Sequence, residues 1–199
     1  MVVVVVDGDD GAARGVEDRG GDGGPVASAA VHPDLAVRHL AEWVLDASRS
    51  EVRLKSRSVW GLAPVKGVFR QVTGNGTVSA AGDVTGAITV AARSVDTKNK
   101  KRDEHLRSAD FFDVANHPDI TFTVGGIRPD NGGVRVAGSL TVRGRTRRVS
   151  FGAKVSSADG EVTLDGQVQV NRADFGLTWS RMGTSMHNTI TVHAVFTRQ

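Results

Sequence analysis

The sequence predicts an all-β protein of about eight antiparallel strands with one short helical insert. After Trp43, apolar and polar residues alternate along most of the chain, a period of two that leaves one face of each strand in water. Short segments rich in Gly, Asn and Asp separate the alternating runs, and such segments favour tight turns between antiparallel neighbours. One block, Arg102–Phe122, replaces the alternation with charged and helix-prone residues. Together these features predict the fold class.

The N-terminal 42 residues differ in composition from the rest of the chain. They hold eight acidic and three basic residues, a net charge of −5, so residues 43–199 carry +8. Met1–Val6 lacks the basic residues that precede the apolar core of a signal peptide, and acidic residues follow it at once. The segment up to Ala30 has too few apolar side chains to offset the entropy of ordering. We therefore expect residues 1–42 to be a disordered acidic tail that allows a short helix near residues 33–42.

The strands are predicted from their alternation. In Glu51–Trp60, charged residues take most of the odd positions, while Val52, Leu54 and Trp60 lie on the other face. Further alternating runs occupy residues 84–92, 120–124, 134–142, 149–155, 162–170 and 190–196. Eight one-sided strands form either a sandwich or a barrel, and closure into a barrel removes exposed strand edges. The inward positions are rich in small residues, which leave room for one slender ligand.

The Arg102–Phe122 block and its flanks predict a bridge between strands. Lys98–Glu104 is crowded with charges and suits a solvent-facing helical turn. Ser108, with acidic and apolar residues after it, resembles a second helix start. Pro118 favours extended geometry before it and begins the next strand. The apolar residues of the block need burial, so we expect a helical plug or flap over a barrel mouth, formed by Leu106, Phe111 and Phe112.

Five blocks of this sequence resemble the YceI family: WVLDASRSEVRLKSRSVWG, VKGVFRQVTGNGTV, SVDTKNKKRDEHLRSADFFDVANHPDITF, VAGSLTVRGRTRRVSF and NRADFGLTW. They span residues 43–199 in the expected order, and the central block is the most specific. The resemblance implies an extended eight-stranded antiparallel lipocalin-like β-barrel with a short helical insert. It also implies a hydrophobic pore that holds a long isoprenoid chain, commonly in a homodimer. Many relatives carry secretory signals, whereas this chain has an acidic tail, so we expect a cytoplasmic protein.

A polyprenyl chain is apolar, slender and long, and it requires an apolar tunnel. Burial of its surface at about 25 cal/mol per Å² drives binding without specific polar contacts. The expected ligand is a polyprenyl phosphate or an isoprenoid quinone. The candidate tunnel lining consists of large apolar residues: Trp60, Phe69, Ile88, Leu106, Phe111, Phe112, Phe122, Leu140, Phe151, Leu177 and Trp179. The alternative is an ordinary packed core, and the residues expected at the mouth, Phe111, Phe112 and Trp179, are the best ligand candidates.

Four arginines in one predicted hairpin are candidates for contact with a ligand head group, because guanidinium forks match phosphate oxygens. They are Arg143, Arg145, Arg147 and Arg148. A solvated hairpin loop is the alternative for these residues. The same pair of explanations applies to Lys98–Arg102, which suits either an anionic lipid surface or a hydrated helix face.

Signals for catalysis are weak. The chain has no cysteine, its six histidines lack metal-ligand spacing, and it has neither a nucleophile elbow nor a phosphate-binding glycine loop. We therefore expect no catalytic residue, no metal and no cofactor. Asp103 and His105 are the only candidates for a stress-related, isoprenoid-modifying enzyme, and their expected role, with Arg107, is to anchor the insert by hydrogen bonds. Arg172 and Asp174 resemble a structural corner of the same kind.

The basic body of the chain allows a third class of function, an anionic-polymer binding module. Such binding is steeply dependent on salt. The sequence lacks surface aromatic residues for base stacking, so this hypothesis ranks last. No stretch approaches the length and hydropathy of a membrane span. The expected partners are a polyisoprenoid or other long apolar lipid and a second copy of the chain, without nucleic acid or an integral membrane segment.

Overall fold

The computed structural model describes residues 41–58, 63–179 and 184–199. These residues form β1 (Ala41–Leu45), β2 (Glu51–Ser58), β3 (Ala63–Phe69), β4 (Val72–Val78), β5 (Val84–Ala91), β6 (Val95–Asp96), α1 (Lys100–Arg107), β7 (Asp119–Asp130), β8 (Gly133–Val142), β9 (Arg145–Ala158), β10 (Glu161–Asn171) and β11 (His187–Arg198). Short 3-10 turns lie at Ala92–Ser94 and Arg172–Phe175. The tail is predicted for residues 1–42. Residues 1–40 of it lie outside the described residues, and the last two positions, Ala41 and Glu42, belong to β1.

The sheet closes on itself into an antiparallel barrel. Its order is β1, β4, β5, β7, β8, β9, β10 and β11, and β11 returns to β1, where Trp43 lies opposite Arg198. β2, β3 and β6 prolong β1, β4 and β5 beyond kinks, and β11 pairs with β1 at Phe196 and with β2 at Val192. The eleven strands of the described residues are therefore eight barrel strands, three of them interrupted. The predicted eight-stranded antiparallel barrel is confirmed.

Local polar contacts build the kink between β1 and β2. The carboxylate of Asp46 accepts hydrogen bonds from the backbone N–H (2.9 Å) and hydroxyl (2.6 Å) of Ser48 and from Nε of Arg49 (2.7 Å). These bonds, first from Ser48 and then from Arg49, lower the pKa of Asp46 to about 2. The Ser50 hydroxyl then accepts a hydrogen bond from the Val195 N–H (3.0 Å). The side chains at the kink therefore replace the ladder bonds that the regular strand loses there.

Two glycines on the inner face make room for aromatic rings of the protein itself. A Cβ at Gly138 would lie 2.5 Å from Cζ of Phe122 and would collide with the carbonyl oxygen of Thr123. A Cβ at Gly166 would lie 2.8 Å from Cε2 of Phe151. The sequence predicts that small inward residues leave space for a ligand. At these two positions the prediction is wrong, because neighbouring phenylalanine rings fill the space.

The charged part of the insert folds into α1, in agreement with the predicted helical turn at Lys98–Glu104. Asn99 caps the helix, since its side-chain oxygen accepts a hydrogen bond from the Arg102 N–H (3.0 Å). The helix start predicted at Ser108 is wrong. Ser108 instead follows the last residue of α1 in extended geometry, and its N–H donates to the His105 carbonyl oxygen (3.1 Å). Asn99 therefore caps the start of α1, and Ser108 caps its end.

After α1 the insert continues as a series of turns that leads into β7. The Phe112 N–H donates back to the Leu106 carbonyl oxygen (2.9 Å), a bond that closes the helix end. Asp113, with φ of 51°, reverses the chain, and its carbonyl oxygen accepts from the His117 N–H (2.8 Å). β7 then starts directly after Pro118, as predicted. Within the described residues, we find no helix with the length and apolar character needed to cross a membrane.

Candidate ligand-binding site

The insert places two aromatic rings in the barrel core. Phe111 and Phe112 are 8 % and 6 % exposed and belong to one buried cluster with Leu106 of α1 and Leu140 of β8. The Phe112 ring meets Phe69 of β3 edge-on, with 6.0 Å between the ring centroids, and meets Phe111 at 5.5 Å. The T-shaped geometry is a favourable one for aromatic pairs. The insert therefore plugs part of the core with apolar side chains.

His105 and Trp179 continue these ring contacts towards the surface. Their ring centroids are 4.3 Å apart, and His105 also meets Phe111 at 6.1 Å. Both side chains are half-buried. We call Phe69, Phe112, Phe111, His105 and Trp179 the aromatic chain. It leads from the buried core to the half-exposed edge of the insert as a continuous series of ring contacts.

The other predicted lining residues lie in or against the same core. The main cluster contains Leu140 and Leu177, and Ile88 and Phe122 pack against it. Phe151 belongs to a smaller cluster, which joins the first through Phe122 at 5.7 Å between ring centroids. Trp60 lies outside the described residues. The structure thus brings ten of the eleven predicted residues into two connected clusters, a placement that suits both a tunnel lining and a packed core.

Hydrogen bonds from α1 hold the insert against the barrel. Asp103 is 8 % exposed and accepts from the Thr97 backbone N–H (2.9 Å) and hydroxyl (2.5 Å). Arg107 donates to the carbonyl oxygens of Arg93 (2.7 Å) and Val95 (2.8 Å). Both residues therefore anchor α1 to the strand segment before it, as the sequence predicts. His105 differs from that prediction, because it packs against aromatic rings instead of bonding the barrel.

The four arginines of the β8–β9 hairpin separate into different environments. Arg145 lies opposite buried Val142, and Arg147 opposite buried Leu140, so both share the inner-facing side of β9, where both are exposed. Arg148 pairs with Ser139 on the other face and is exposed.

The remaining arginine of the hairpin touches the insert. Arg143 Nη2 donates to the Ala109 carbonyl oxygen (2.8 Å). Gly144, next to it, lies against His117, since a Cβ there would stand 3.0 Å from the imidazole Cε1. The hairpin therefore packs on the insert and is not a free loop.

Arg172 is a site residue whose surroundings the sequence did not reveal. It is 2 % exposed, its guanidinium carbon lies 5.4 Å from the centroid of the Phe111 ring, and burial lowers its pKa. Nε donates to the Ser185 carbonyl oxygen (3.0 Å) and Nη1 to that of Leu177. Nη2 is buried and meets no hydrogen-bond acceptor among the described residues. The sequence signal was an arginine directly after a strand and before an apolar Phe-Gly pair.

The geometry provides little for catalysis. Asp103 is engaged with Thr97, and the carboxyl group nearest to His105 is that of Asp110, with 3.8 Å between Nε2 and Oδ2. In the part of the chain that the structure describes, no three His, Cys, Asp or Glu side chains are placed to hold a metal ion. The two candidates for an isoprenoid-modifying enzyme therefore do not form an acid–base pair.

A cleft of about 510 Å³ lies away from the aromatic chain. It crosses β8 to β11, from the turn at Asn131 to Val192, and its lining includes none of the predicted ligand residues. The aromatic chain lies elsewhere, where the insert contacts the β8–β9 hairpin and the turn at Arg172–Phe175. We call the region formed by these three segments the barrel mouth.

Comparison with known proteins identifies the family. The model of the YceI-like domain matches residues 43–197. The chain belongs to the YceI family. The YceI protein of Escherichia coli O157:H7 is 41 % identical over 68 residues, which are 34 % of this chain and 36 % of that protein. UPF0312 protein ECA1782 of Pectobacterium atrosepticum is also 41 % identical over 68 residues, 34 % and 35 % of the two chains. The chain therefore spans about a third of the length of these curated relatives.

Solved structures share the YceI-like barrel. BcnA of Burkholderia cenocepacia has a TM-score of 0.69 at 22 % identity, covering 76 % of this chain and 98 % of BcnA. A polyisoprenoid binding domain from Saccharophagus degradans has a TM-score of 0.64 at 18 % identity, covering 81 % of this chain and all of that domain (100 %). At these identities the likeness shows the fold. Three members of the aromatic chain, His105, Phe111 and Phe112, lie in the block that resembles the family most specifically.

Proposed function

We propose that this YceI-like barrel binds and sequesters or transports a long polyisoprenoid lipid, a polyprenyl phosphate or an isoprenoid quinone. The observation that supports this most is the aromatic chain, which runs from buried Phe69 to half-buried Trp179. A slender hydrocarbon laid along it exchanges water for aromatic and aliphatic surface. Each 100 Å² of apolar surface so buried contributes about 2.5 kcal/mol. The name of the Saccharophagus degradans domain points to the same ligand class.

Binding requires side chains to move, because the rings at Gly138 and Gly166 now fill the interior. The insert is the segment best placed to move, since its Phe111 and Phe112 enter the core from outside the barrel strands. We propose that the lipid tail displaces these rings and enters between the insert and the barrel. The engagement of Asp103 with Thr97 supports a binding role over an enzymatic one. The family resemblance further leads us to propose a homodimer, which light scattering of the purified protein tests.

The first experiment is a lipid extract of the purified protein, analysed by mass spectrometry, followed by titration of the delipidated protein with geranylgeraniol. We expect a prenyl lipid in the extract and saturable quenching of tryptophan fluorescence, because Trp179 lies at the barrel mouth. If the extract contains no prenyl lipid and geranylgeraniol shows no saturable binding, the proposal is wrong.

The Trp179→Ala variant tests the place of binding. Trp179 is half-buried and contacts His105, so its removal takes apolar surface from the mouth and should weaken binding of a prenyl chain about tenfold. Phe196→Ala is the matched control, since Phe196 is a half-buried aromatic at the other end of β11 from the mouth. Calorimetry of both variants with geranylgeraniol measures the effect. Equal affinities for Trp179→Ala and the wild type would move the site elsewhere.

A further inference from the structure

The barrel mouth contains a buried cation with an unused hydrogen-bond donor. Arg172 is 2 % exposed, and its Nη2 meets no acceptor among the described residues. The other two nitrogen atoms donate to the backbone carbonyl oxygens of Ser185 and Leu177, which are neutral. A buried polar group without a partner is costly, and a buried charge without a counter-charge costs more. The arrangement therefore lacks one acceptor and one negative charge.

The described part of the chain supplies no counter-charge to Arg172. None of the ion pairs among the described residues includes Arg172; their cations are other arginines, such as Arg49 with Asp46 and Arg70 with Asp96, one lysine and two histidines. Asp174 lies two residues away and is exposed. The lowered pKa of Arg172, caused by burial, agrees with a guanidinium that has no carboxylate beside it.

A second guanidinium stands at the same corner. Arg145 lies over Gly176, the residue that ends the turn begun by Arg172, and a Cβ at Gly176 would be 2.8 Å from the Arg145 Cζ. Gly176 has φ of 77°, so its left-handed geometry brings the backbone under the guanidinium without a side chain in the way. No side-chain hydrogen bond or ion pair joins Arg145 to another described residue. Two guanidinium groups with unused donors therefore flank the Arg172–Gly176 corner.

The chemistry of these donors selects an anion that is joined to an apolar chain. Guanidinium groups bind phosphate oxygens with paired, charge-assisted hydrogen bonds. Phe111 lies under the Arg172 guanidinium and belongs to the aromatic chain, so a head group at this corner has its tail next to that surface. A neutral carbonyl oxygen accepts a hydrogen bond but leaves the buried charge uncompensated.

We propose that Arg172 and Arg145 form the head-group site of the barrel and that they select a phosphate ester of a polyprenol. This inference rests on the proposed function and specifies the ligand class for it. It also revises the predicted set of head-group arginines. Arg145 stays in that set, Arg172 joins it, and Arg148, on the other face of β9, leaves it.

The test compares two ligands with the same tail, geranylgeranyl phosphate and geranylgeraniol, at one ionic strength. The wild type should bind the phosphate roughly tenfold to a hundredfold more tightly than the alcohol, the range expected for a charge-assisted hydrogen bond to a buried partner. The readout is the ratio of the two dissociation constants, measured by tryptophan quenching. A purely structural role for the two arginines changes both constants together and leaves their ratio near that of the wild type.

Arg145→Gln is the main variant, because Arg145 is exposed and its removal does not empty a buried site. Its ratio should fall about tenfold from the wild-type value. Arg172→Lys retains a positive charge but loses the planar fork, and its ratio should fall in the same direction. Arg128→Gln removes an equal charge from an exposed position on β7 and should keep the wild-type ratio.

Three results overturn the inference, and the last of them also overturns the proposed function. If the wild type binds both ligands equally, or if Arg145→Gln keeps the wild-type ratio, the head-group site is wrong and lipid binding stands. If the wild type binds neither ligand, the proposed function fails and the head-group site fails with it. If Arg172→Lys fails to fold without the bonds to Leu177 and Ser185, Arg145→Gln decides alone.

Discussion

Single residues decide how the barrel interior is filled. Gly138 and Gly166 lie opposite inward positions of their neighbours, and the rings of Phe122 and Phe151 occupy the space that a side chain would take. Arg172 shows the same dependence on detail, because its three guanidinium nitrogens have three different environments within one buried corner. The space around each of these residues is therefore set by atoms from other segments of the chain.

The Gly138→Ala variant tests the packing of Phe122. The added methyl group would collide with the Thr123 carbonyl oxygen and would lie 2.5 Å from the Phe122 ring, so the barrel should lose about 1–3 kcal/mol of unfolding free energy. Gly126→Ala is the control, since a Cβ at Gly126 has no neighbour within 4 Å. Urea denaturation of both variants measures the difference. Equal stabilities would show that the ring moves aside at little cost.

Among the elements, the insert uses one set of residues to hold α1 by hydrogen bonds and another set to pack in the barrel core. Asp103 bonds to Thr97, and Arg107 bonds to Val95, both on the segment before α1. The apolar side chains of the insert enter the core: Leu106, Phe111 and Phe112. Both sets come from one short helix and the turns after it. Loss of an anchor should therefore loosen the aromatic rings without unfolding the barrel strands.

The Asp103→Ala variant tests this coupling. It leaves the buried Thr97 N–H without its acceptor, which should cost about 1–3 kcal/mol, mostly as local opening of α1. Glu104→Ala is the matched control, because Glu104 is the exposed acidic residue next to it on α1. Hydrogen exchange, read separately for residues 99–117 and for β8–β11, shows where protection is lost. Uniform loss over the whole barrel would contradict a locally anchored insert.

At the scale of the whole molecule, closure joins the two ends of the described chain. β1 pairs with β11, so every strand of the barrel has two neighbours and the barrel mouth collects segments far apart in sequence. The insert, the β8–β9 hairpin and the Arg172–Phe175 turn meet there through the Arg143 bond to Ala109 and the Arg172 contact with Phe111. A ligand held by all three segments should stabilise the barrel as one unit.

Thermal unfolding with and without geranylgeranyl phosphate tests this. A ligand at about a hundred times its dissociation constant stabilises the folded state by about 2.7 kcal/mol, which raises the melting temperature of a barrel of this size by roughly 5–10 °C. Scanning calorimetry should show one transition that moves upward as a whole. A shift confined to a minor early transition would place the ligand on the insert alone.

The alternation of side chains and the turn residues were sufficient to predict the strands, their antiparallel order and the position of the insert, because these are local properties of the backbone. The resemblance of the Arg102–Phe122 block was sufficient to predict the family. Local chemistry misled at Ser108, since a helix that already starts at Asn99 reaches its end there. Local sequence features also did not predict the kink at Asp46. There the Asp46 carboxylate accepts hydrogen bonds from Ser48 and Arg49.

The residues alone predict one-sided antiparallel strands, an apolar insert and a hairpin rich in arginine, and the family resemblance adds the barrel. The folded structure adds which glycines lie against aromatic rings, which arginines share the inner-facing side of a strand, and that Arg172 is buried beside Phe111 with one donor unused. The physical reason is that alternation fixes the face of a side chain within its own strand. The contacts on that face depend on register and closure, which join residues more than a hundred positions apart, such as Trp43 and Arg198.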